Sequence, residues 1–289
     1  MDNLSSGKKE NISELLENRD FEFVYQDVSS PYECYADLIF NLACTASPKF
    51  YQKNPIETMK SNVLGAINIL NIAEKNNCRI FHASTSEVYG DPKEFPQKET
   101  YLGNVNPNGV RSCYDEGKRA AESIFMDYYR TRYIKIKIAR IFNVYGPKMR
   151  SDDGRLISNL VIQALKNQPM TIYGDGSQTR SLCYIDDLLD GILNLMDTPD
   201  DVTGPVNLGN PDERSVLEIA GIIKDITQSK SPIEFRPLPQ DDPKRRCPDI
   251  SLASSILNWK PNVDLRTGIA KTVDYYRMNS ANVTFQIDQ

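Results

Sequence analysis

A tyrosine and a lysine one helical turn apart could form an acid/base pair. The run Tyr114-Asp115-Glu116-Gly117-Lys118 is predicted to lie on a helix, where positions i and i+4 share one face. A lysine ammonium beside a phenol favours the phenolate and lowers a pKa that starts near about 10. Tyr114 could then act as a general base near neutral pH. The same spacing also arises by chance on amphipathic helices, so the pair needs support from another motif.

A strand that ends in hydroxyl and carboxyl side chains precedes this pair. Residues Arg79–Ala83 are predicted to form a strand that runs into Ser84-Thr85-Ser86-Glu87, upstream of Tyr114. The hydroxyls of Ser84 and Thr85 can hydrogen-bond to the oxygen that reacts. The two motifs together predict an acid/base active site.

The composition is that of a globular protein. The chain has 289 residues, 25% charged and 40% hydrophobic, which suits one large domain or two modest ones. Its net charge of −5, with both signs interspersed, gives no support for a nucleic-acid partner or a membrane-surface partner. No apolar run approaches the roughly 20 residues of a membrane span, so we expect no membrane segment in this chain.

Histidine and cysteine usage restricts the chemistry and the compartment. The chain has one histidine, His82, which excludes a His-based triad and a multi-His metal site, and no metal is expected. Its six cysteines are scattered without a Cys-x-x-Cys pair, which is typical of reduced thiols in an intracellular protein. We therefore predict a cytoplasmic location for the chain as written.

Strands alternate with helices along the first half of the chain. The predicted elements are a helical piece at Ile12–Leu16, strands at Phe21–Val28, Ala36–Ala43, Arg79–Ala83 and Ile134–Phe142, and helices at Asn54–Asn76 and Tyr114–Tyr129. The mostly apolar Ala36–Ala43 run is typical of a parallel strand that is buried on both faces. The alternation predicts an α/β fold with helices on both faces of a parallel sheet.

Shorter elements follow Pro147. The predicted helices are Leu156–Lys166, Ile185–Met196, Ser215–Ile226, Asp249–Leu257 and Leu265–Met278, and the predicted strands are Met170–Tyr173, Val206–Leu208 and Ile233–Arg236. Gly174–Arg180 is predicted to be a polar loop. This change of pattern indicates a second region.

Ordered motifs resemble those of the extended short-chain dehydrogenases that act on nucleotide sugars. They are Ser84–Gly90, Tyr114–Lys118, Arg140–Pro147, Gly174–Arg180, Val206–Asn210 and Asp241-Asp242-Pro243. The resemblance runs from Asp2 to about Tyr276. It implies a Rossmann-like, doubly wound parallel sheet with an NAD-binding domain at 1–147 and a smaller α+β region for a UDP-sugar at 148–289. Elements at 181–210 are expected to pack back on the first domain.

Within that family the chain is most similar to the UDP-glucuronate decarboxylases, or UDP-xylose synthases. The 4,6-dehydratases carry an aspartic acid where this chain has Ser86, and a serine is a poor acid for a departing hydroxyl. The 4-epimerases usually have a small residue in place of Glu87. Arg246 matches the arginine of the decarboxylase pocket, and a guanidinium suits a sugar carboxylate. The catalytic residues implied are Thr85, Ser86, Glu87, Tyr114, Lys118 and Arg246.

The resemblance implies an NAD-dependent carboxy-lyase. Tyr114 takes the proton of the sugar 4-hydroxyl while hydride leaves C4 for NAD+. The resulting 4-ketone lies β to the C6 carboxylate and acts as the electron sink for loss of carbon dioxide, while Glu87 helps to orient the sugar. Return of the hydride gives UDP-xylose, so the cycle is redox-neutral.

Binding residues are implied in the same way. Those for NAD are Asp2, Asn3, Asp27, Leu42, Ala43, Ser84, Tyr114, Lys118 and Arg155. Asp2 stands where the family has the acid that binds the adenosine ribose. Those for UDP-glucuronate are Lys60, Asn143, Tyr173, Gln178, Arg180 and Arg246.

One part of the family pattern does not occur in the sequence. The family opens with a strand and a Gly-x-x-Gly-x-x-Gly turn that cradles the cofactor pyrophosphate, and none of the 15 glycines falls into such a triplet. We therefore expect an N-terminally truncated chain that lacks the first strand, with NAD affinity lowered at least about a thousandfold. If an upstream membrane anchor belongs to the native gene, the compartment would be the Golgi lumen.

Two other functions stay open. One is a nucleotide-sugar 4,6-dehydratase, which product analysis distinguishes because only a decarboxylase yields a pentose and carbon dioxide. The other is a catalytically silent fragment that binds a UDP-sugar or pairs with a full-length homologue. The family implies dimerisation through the helices at Asn54–Asn76 and Tyr114–Tyr129, so we expect a homodimer or a mixed dimer with such a homologue.

Overall fold

The computed structural model describes residues 1–238 and 245–280, without the side chain of Ser280. The chain divides into two compact units. The first comprises Met1–Glu94, Glu99–Ile141 and Ile192–Asn207, and the second comprises Phe95–Lys98, Phe142–Gly191 and the chain from Leu208 onward. None of the helices in the described ranges is both long and apolar enough to cross a membrane.

The elements in chain order are as follows. The strands are β1 (Leu38–Asn41), β2 (Arg79–Thr85), β3 (Ile136–Ile141), β4 (Val144–Tyr145), β5 (Met170–Tyr173), β6 (Thr179–Ser181), β7 (Cys183–Tyr184), β8 (Val206–Leu208), β9 (Glu213–Ser215) and β10 (Ile233–Arg236). The α-helices are α1 (Pro48–Tyr51), α2 (Pro55–Asn76), α3 (Ser112–Arg132), α4 (Leu156–Leu165), α5 (Ile185–Met196), α6 (Val216–Thr227), α7 (Ser251–Leu257) and α8 (Leu265–Ser280). Two 3₁₀ helices lie at Lys9–Leu15 and Ser86–Tyr89.

A four-stranded sheet in the order β1-β2-β3-β8 is the frame of the first unit. Ile80 of β2 pairs in parallel with Ile39 of β1 and with Ile136 of β3. Apolar side chains of these strands pack with α2 and α3 into one core cluster. The predicted α/β fold with a parallel sheet is therefore confirmed. On the edge strand β1, Leu38 and Phe40 remain 57% and 41% exposed.

Helices α2 and α3 approach each other closely beside the predicted acid/base pair. Gly117 lies between Tyr114 and Lys118 in sequence, and a Cβ added there would lie 2.8 Å from Asn62 Nδ2 of α2. A side chain at this position would therefore require the buried Asn62 side chain to move. The absence of a side chain at Gly117 thus allows the close packing of α3 on α2.

A buried lysine ties the end of the first unit to its sheet. Lys137 of β3 has no exposed surface, and its Nζ donates to Thr198 Oγ1 at 2.8 Å, to the Pro199 carbonyl at 2.5 Å and to the Val202 carbonyl at 2.8 Å. The ammonium thereby satisfies three acceptors of the segment that leads from α5 to β8. Its full complement of donors is used.

We expect Lys137→Met to lower the free energy of unfolding by about 2–3 kcal/mol, because three acceptors lose their donor. Lys135→Met is the matched control, since Lys135 is 41% exposed and lies 3.8 Å from Asp200. The control should change the free energy by less than about 0.5 kcal/mol. Urea denaturation followed by circular dichroism measures both. Equal effects for the two variants would contradict the assignment.

The second unit has its own core, made by the apolar faces of α4, α6 and α8 around β5. β5 pairs in parallel with β10, and β6 pairs antiparallel with β9. Helix α6 begins with a capping box, in which Ser215 accepts from the Glu218 N–H and Glu218 accepts from the Ser215 N–H. Strand β9 is thereby joined to α6 without an intervening loop.

Most element predictions are confirmed, and three are wrong. The Ala36–Ala43 strand is not buried on both faces, because β1 spans only Leu38–Asn41 and its face with Leu38 and Phe40 is exposed. Phe21–Val28 is not a strand, because only Tyr25 forms a parallel bridge, with Asp2, and Tyr25 is 70% exposed. Gly174–Arg180 is not wholly a loop, since β6 begins at Thr179. The Asp241-Asp242-Pro243 motif lies outside the described residues.

Candidate active site

Tyr114 and Lys118 lie side by side on the buried face of α3. They are 6% and 4% exposed, and Lys118 Nζ lies 5.9 Å from the centroid of the Tyr114 ring. Lys118 Nζ also donates to the carbonyl of Ala83 at 2.8 Å, immediately before the Ser84-Thr85-Ser86-Glu87 motif. The Tyr114–Lys118 motif and the Ser84–Glu87 motif therefore meet at the end of β2.

The environment of Lys118 acts on the pKa of its ammonium in two opposing directions. Burial lowers the pKa of its ammonium from the ordinary value, while Cys44 and Glu122 act in the opposite direction. Burial and then the Lys118 charge hold the pKa of His82 well below its usual range, so His82 is neutral. Its Nδ1 lies 3.2 Å from Asn41 Nδ2, and its ring stacks on a phenylalanine. These contacts support a structural role for this histidine.

The carboxylate of Glu87 is already paired within the first unit. Glu87 begins the 3₁₀ turn after β2, and its N–H donates to Thr85 Oγ1 at 3.2 Å. Its Oε2 accepts from Arg111 Nη2 at 2.7 Å, with side chains only 14% and 11% exposed. A charge-assisted hydrogen bond of this kind fixes the orientation of the carboxylate. Sequence reasoning missed Arg111, although its position just before the Tyr114 helix was a usable signal.

The Ser84 hydroxyl points into a different network. It donates to Glu122 Oε1 at 2.5 Å, and both Glu122 oxygens accept from Arg140, at 2.9 and 2.7 Å. Arg140 also donates to the Tyr89 hydroxyl at 3.1 Å and to the Glu99 carbonyl at 3.0 Å. Of the two hydroxyls predicted to meet the reacting oxygen, Ser84 is thus engaged by a buried ion pair. Thr85 is the one whose O–H can still donate.

A second tyrosine packs flat on the predicted base. Tyr51, the last residue of α1, has its ring centroid 5.1 Å from that of Tyr114, with an angle of 3° between the rings. Tyr51 is 1% exposed, and burial raises the pKa of its hydroxyl above the ordinary value. The stack leaves the Tyr114 ring little rotational freedom. No sequence pattern singles out Tyr51, because the contact joins elements distant in the chain.

The residues assigned to the adenosine end of NAD form a small polar group at the start of the chain. Asp2 Oδ1 accepts from the Leu4 N–H at 2.6 Å, and Asn3 Nδ2 donates to Asp27 Oδ2 at 2.7 Å. Hydrogen bonds from Ser29 are the main cause that lowers the pKa of Asp27, so its carboxylate is charged. The other predicted members of this group are Leu42, which is 60% exposed, and Ala43, whose N–H donates to Asn41 Oδ1 at 3.4 Å.

The predicted substrate residues are divided between the units. Lys60 belongs to the first unit and pairs with Glu57 at 2.9 Å. The others belong to the second unit and are Asn143, Tyr173, Gln178, Arg180 and Arg246, together with Arg155, which was predicted to reach NAD. Their roles stay predictions.

Within the second unit the structure gives these residues different surroundings. Gln178 Nε2 donates to the Tyr173 carbonyl, and Arg180 Nη1 donates to the Thr179 carbonyl at 2.8 Å. Arg155 pairs with the buried Asp153. Arg246 is the most deeply buried arginine of the set, at 4% exposed.

The comparisons with known proteins match proteins that are named for nucleotide sugars. A family profile described as GDP-mannose 4,6 dehydratase matches residues 1–272. UDP-glucuronic acid decarboxylase 1 of Arabidopsis thaliana is 50% identical over 98% of this chain, which spans only 64% of that relative's length. UDP-glucuronic acid decarboxylase 3 of the same plant is 47% identical over 96% of this chain and 80% of the relative. The crystal structure of a UDP-glucuronic acid 4-epimerase from Bacillus cereus, in complex with UDP-glucuronic acid and NAD, is 28% identical, with a TM-score of 0.83 over 93% of this chain and 85% of the epimerase.

Proposed function

This chain belongs to the UDP-glucuronic acid decarboxylases, and we propose that it converts UDP-glucuronate to UDP-xylose and carbon dioxide with bound NAD. The observation that carries the proposal is the junction of Lys118, Tyr114 and the end of β2, where a buried lysine lies beside the Tyr114 ring and donates to the Ala83 carbonyl. We also propose that the first unit holds NAD and that the second holds the UDP-sugar.

The polar residues of the first unit fit NAD at its two ends. Carboxylates near strand ends bind ribose hydroxyls in dinucleotide sites, and Asp2 offers such a group. A Cβ added at Gly7 would lie 3.1 Å from Asp2 Oδ2, so the turn around this carboxylate is open only because residue 7 has no side chain. Asp2, Asn3 and Asp27 would hold the adenosine end, and Lys118 the nicotinamide ribose. When bound, NAD+ supplies reversible removal of hydride from C4 of the sugar.

Tyr114 is the proposed base for the sugar 4-hydroxyl. The Lys118 ammonium stabilises the phenolate, and the Tyr51 stack orients the ring. Thr85 donates a hydrogen bond to the same sugar oxygen. As O4 becomes a ketone oxygen, the proton passes to Tyr114, and it is returned when the hydroxyl forms again.

Decarboxylation follows from the position of that ketone. The C5–C6 bond breaks, its electron pair moves through C5 and C4 to the ketone oxygen, and carbon dioxide leaves. A proton from solvent then joins C5, and the enolate electrons form the new C–H bond. Glu87, held by Arg111, orients the sugar ring for this step, and Arg246 binds the carboxylate until it leaves. Ser86 offers no acidic proton for expelling a hydroxyl, which disfavours the dehydratase alternative.

We expect kcat to fall on the alkaline side at a pH below 10.5, the ordinary pKa of lysine, because burial lowers the pKa of Lys118. Below its pKa the ammonium is charged and supports the phenolate, and this support is lost as the pH rises through that pKa. The alkaline limb of the pH dependence of kcat is obtained from initial rates at saturating substrate. Circular dichroism at each pH checks that the chain stays folded. A kcat that stays constant up to pH 10.5 would contradict the role of Lys118.

Purified chain incubated with UDP-glucuronate and excess NAD+ tests the function. The proposal predicts UDP-xylose and carbon dioxide in equal amounts by mass spectrometry. A product that has lost water instead would indicate a dehydratase, and an isomer of UDP-glucuronate would indicate an epimerase. A folded chain that binds UDP and forms none of these would be a silent fragment.

We also propose that the chain dimerises, with itself or with a longer homologue, through α2 and α3. Supporting this, Ile56 and Leu64 of α2 are 69% and 44% exposed although the helix packs against α3. Light scattering after gel filtration would give the mass directly.

A further inference from the structure

The arginine assigned to the substrate carboxylate lies in a short segment that is held on both sides. Arg246 is 4% exposed, whereas the side chain of its neighbour Arg245 is 48% exposed. Cys247, on the other side, is buried. An arginine has several rotatable bonds, so its guanidinium is well placed only if the backbone beneath it is fixed.

Gln97 holds the segment after Arg246. Its N–H donates to the Cys247 carbonyl at 2.9 Å, and its carbonyl accepts from the Asp249 N–H at 2.9 Å. Its side-chain oxygen also accepts from the Cys247 N–H, at 3.0 Å. Gln97 has no exposed surface. A single residue thus satisfies both backbone groups of Cys247, as a strand partner would, and leaves that backbone no other pairing.

Glu213 holds the segment before Arg246. Its two oxygens accept from Arg245 Nε and Nη2, each at 2.8 Å, in the bidentate arrangement that fixes a guanidinium plane. Thr179 Oγ1 donates to the same carboxylate, and the Arg245 guanidinium carbon lies 4.9 Å from the Phe95 ring centroid. The Glu213 side chain is only 17% exposed, and donors from both Arg245 and Thr179 fix its carboxylate. Its ordered geometry is better explained by what it positions.

We propose that Gln97 and Glu213 are positioning residues that hold Arg246 in place for the substrate carboxylate. The inference rests on the proposed function, because it needs Arg246 to bind that carboxylate. Neither residue has to touch the substrate. Gln97, from the loop before α3, acts through the backbone of Cys247, and Glu213, from β9, acts through the guanidinium of Arg245.

This arrangement predicts a selective effect on ligand binding. UDP-glucuronate carries the carboxylate and UDP-xylose does not. A displaced Arg246 guanidinium should therefore weaken the binding of UDP-glucuronate and leave the binding of UDP-xylose unchanged. A residue that merely supports the fold of the second unit would weaken both ligands alike. The ratio of the two dissociation constants therefore separates positioning from general stability.

The test uses calorimetric titration of the full chain with NAD+ present. All variants carry Tyr114→Phe, so that bound UDP-glucuronate is not consumed. We expect Glu213→Gln and Gln97→Leu each to raise the dissociation constant of UDP-glucuronate about tenfold. The dissociation constant of UDP-xylose should change by less than about twofold. Asp212→Asn is the matched control, because Asp212 precedes Glu213 and forms an exposed pair with Arg214 at 3.2 Å, 46% exposed on each side. It should change neither ligand.

Arg246→Lys separates failure of this inference from failure of the proposed function. A lysine keeps the charge and loses the planar fork, so we expect it to weaken UDP-glucuronate selectively. If Arg246→Lys is selective and Glu213→Gln and Gln97→Leu weaken both ligands equally or neither, the positioning role is overturned alone. If Arg246→Lys leaves the ratio unchanged, the carboxylate role of Arg246 fails, and the positioning role fails with it.

Discussion

Tyr114→Phe should lower kcat by about a thousandfold while the affinity for UDP-glucuronate stays within about twofold. The substitution removes only the phenol oxygen, so the ring can keep its stack on Tyr51 at 5.1 Å and the helix can keep its depth against α2. What is lost is the phenol oxygen beside Lys118, which is the proposed acceptor of the sugar proton. The expected effect is therefore on the reaction and not on binding.

Tyr128→Phe is the matched control for this variant. Tyr128 lies on the same helix, and its hydroxyl donates to Asn71 at the exposed side of α3. Its loss should leave kcat unchanged. Rates of UDP-xylose formation and binding constants for both variants decide the matter. A Tyr114→Phe chain that keeps more than about a tenth of the parent rate would contradict the role of Tyr114 as the general base.

Glu122→Ala should lower the free energy of unfolding by about 3–5 kcal/mol, the largest effect on stability that we expect. The side chains of Glu122 and Arg140 are 12% and 13% exposed, and the substitution leaves the guanidinium charge buried without its carboxylate. It also removes the acceptor of the Ser84 hydroxyl. This network joins the end of β2 to helix α3. Its loss should therefore make the active-site residues less ordered as well as lower the stability of the first unit.

The control for Glu122 is an exposed ion pair that also involves helix α3. Glu74 of α2 pairs with Arg132 of α3 at 3.0 Å, with side chains 38% and 60% exposed. Glu74→Ala should cost less than about 1 kcal/mol. Urea denaturation measures the difference in the free energy of unfolding, with the same dependence on urea concentration fitted for all variants. If Glu122→Ala costs no more than Glu74→Ala, the buried network does not support the site as described.

Periodicity predicted the longer elements well because each has a local cause. Helix α2 begins at Pro55 after Asn54 and ends at Asn76, followed by Asn77 in the left-handed conformation. Proline at the start of a helix and asparagine just after its end are signals that can be recognised in the sequence. The predicted helix at Ile185–Met196 and the predicted strand at Met170–Tyr173 match the structure at both ends. The Phe21–Val28 prediction failed because alternation alone does not supply a strand partner. Only one bridge, to Asp2, forms there.

The acid/base pair could be predicted from sequence, but its supports could not. Tyr114 and Lys118 are separated by one helical turn, so their proximity follows from helix geometry. Glu122 lies one further turn along the same face, which is a signal that the pattern contained. Tyr51 and Arg140, in contrast, reach the site through tertiary packing that no local pattern records. The roles assigned to Arg246 and the UDP-binding residues depend on family resemblance.

The most direct test of the account is the isotope content of the product formed in heavy water. Purified chain is incubated with UDP-glucuronate and NAD+ in D2O, and the sugar nucleotide is analysed by mass spectrometry and proton NMR. The account predicts UDP-xylose with one deuterium at C5, where the carboxylate was lost, and none at C4, since the hydride returns to the carbon that it left. A product that retains its carboxylate, or that carries solvent deuterium at C4, would contradict decarboxylation through a 4-ketone on this chain.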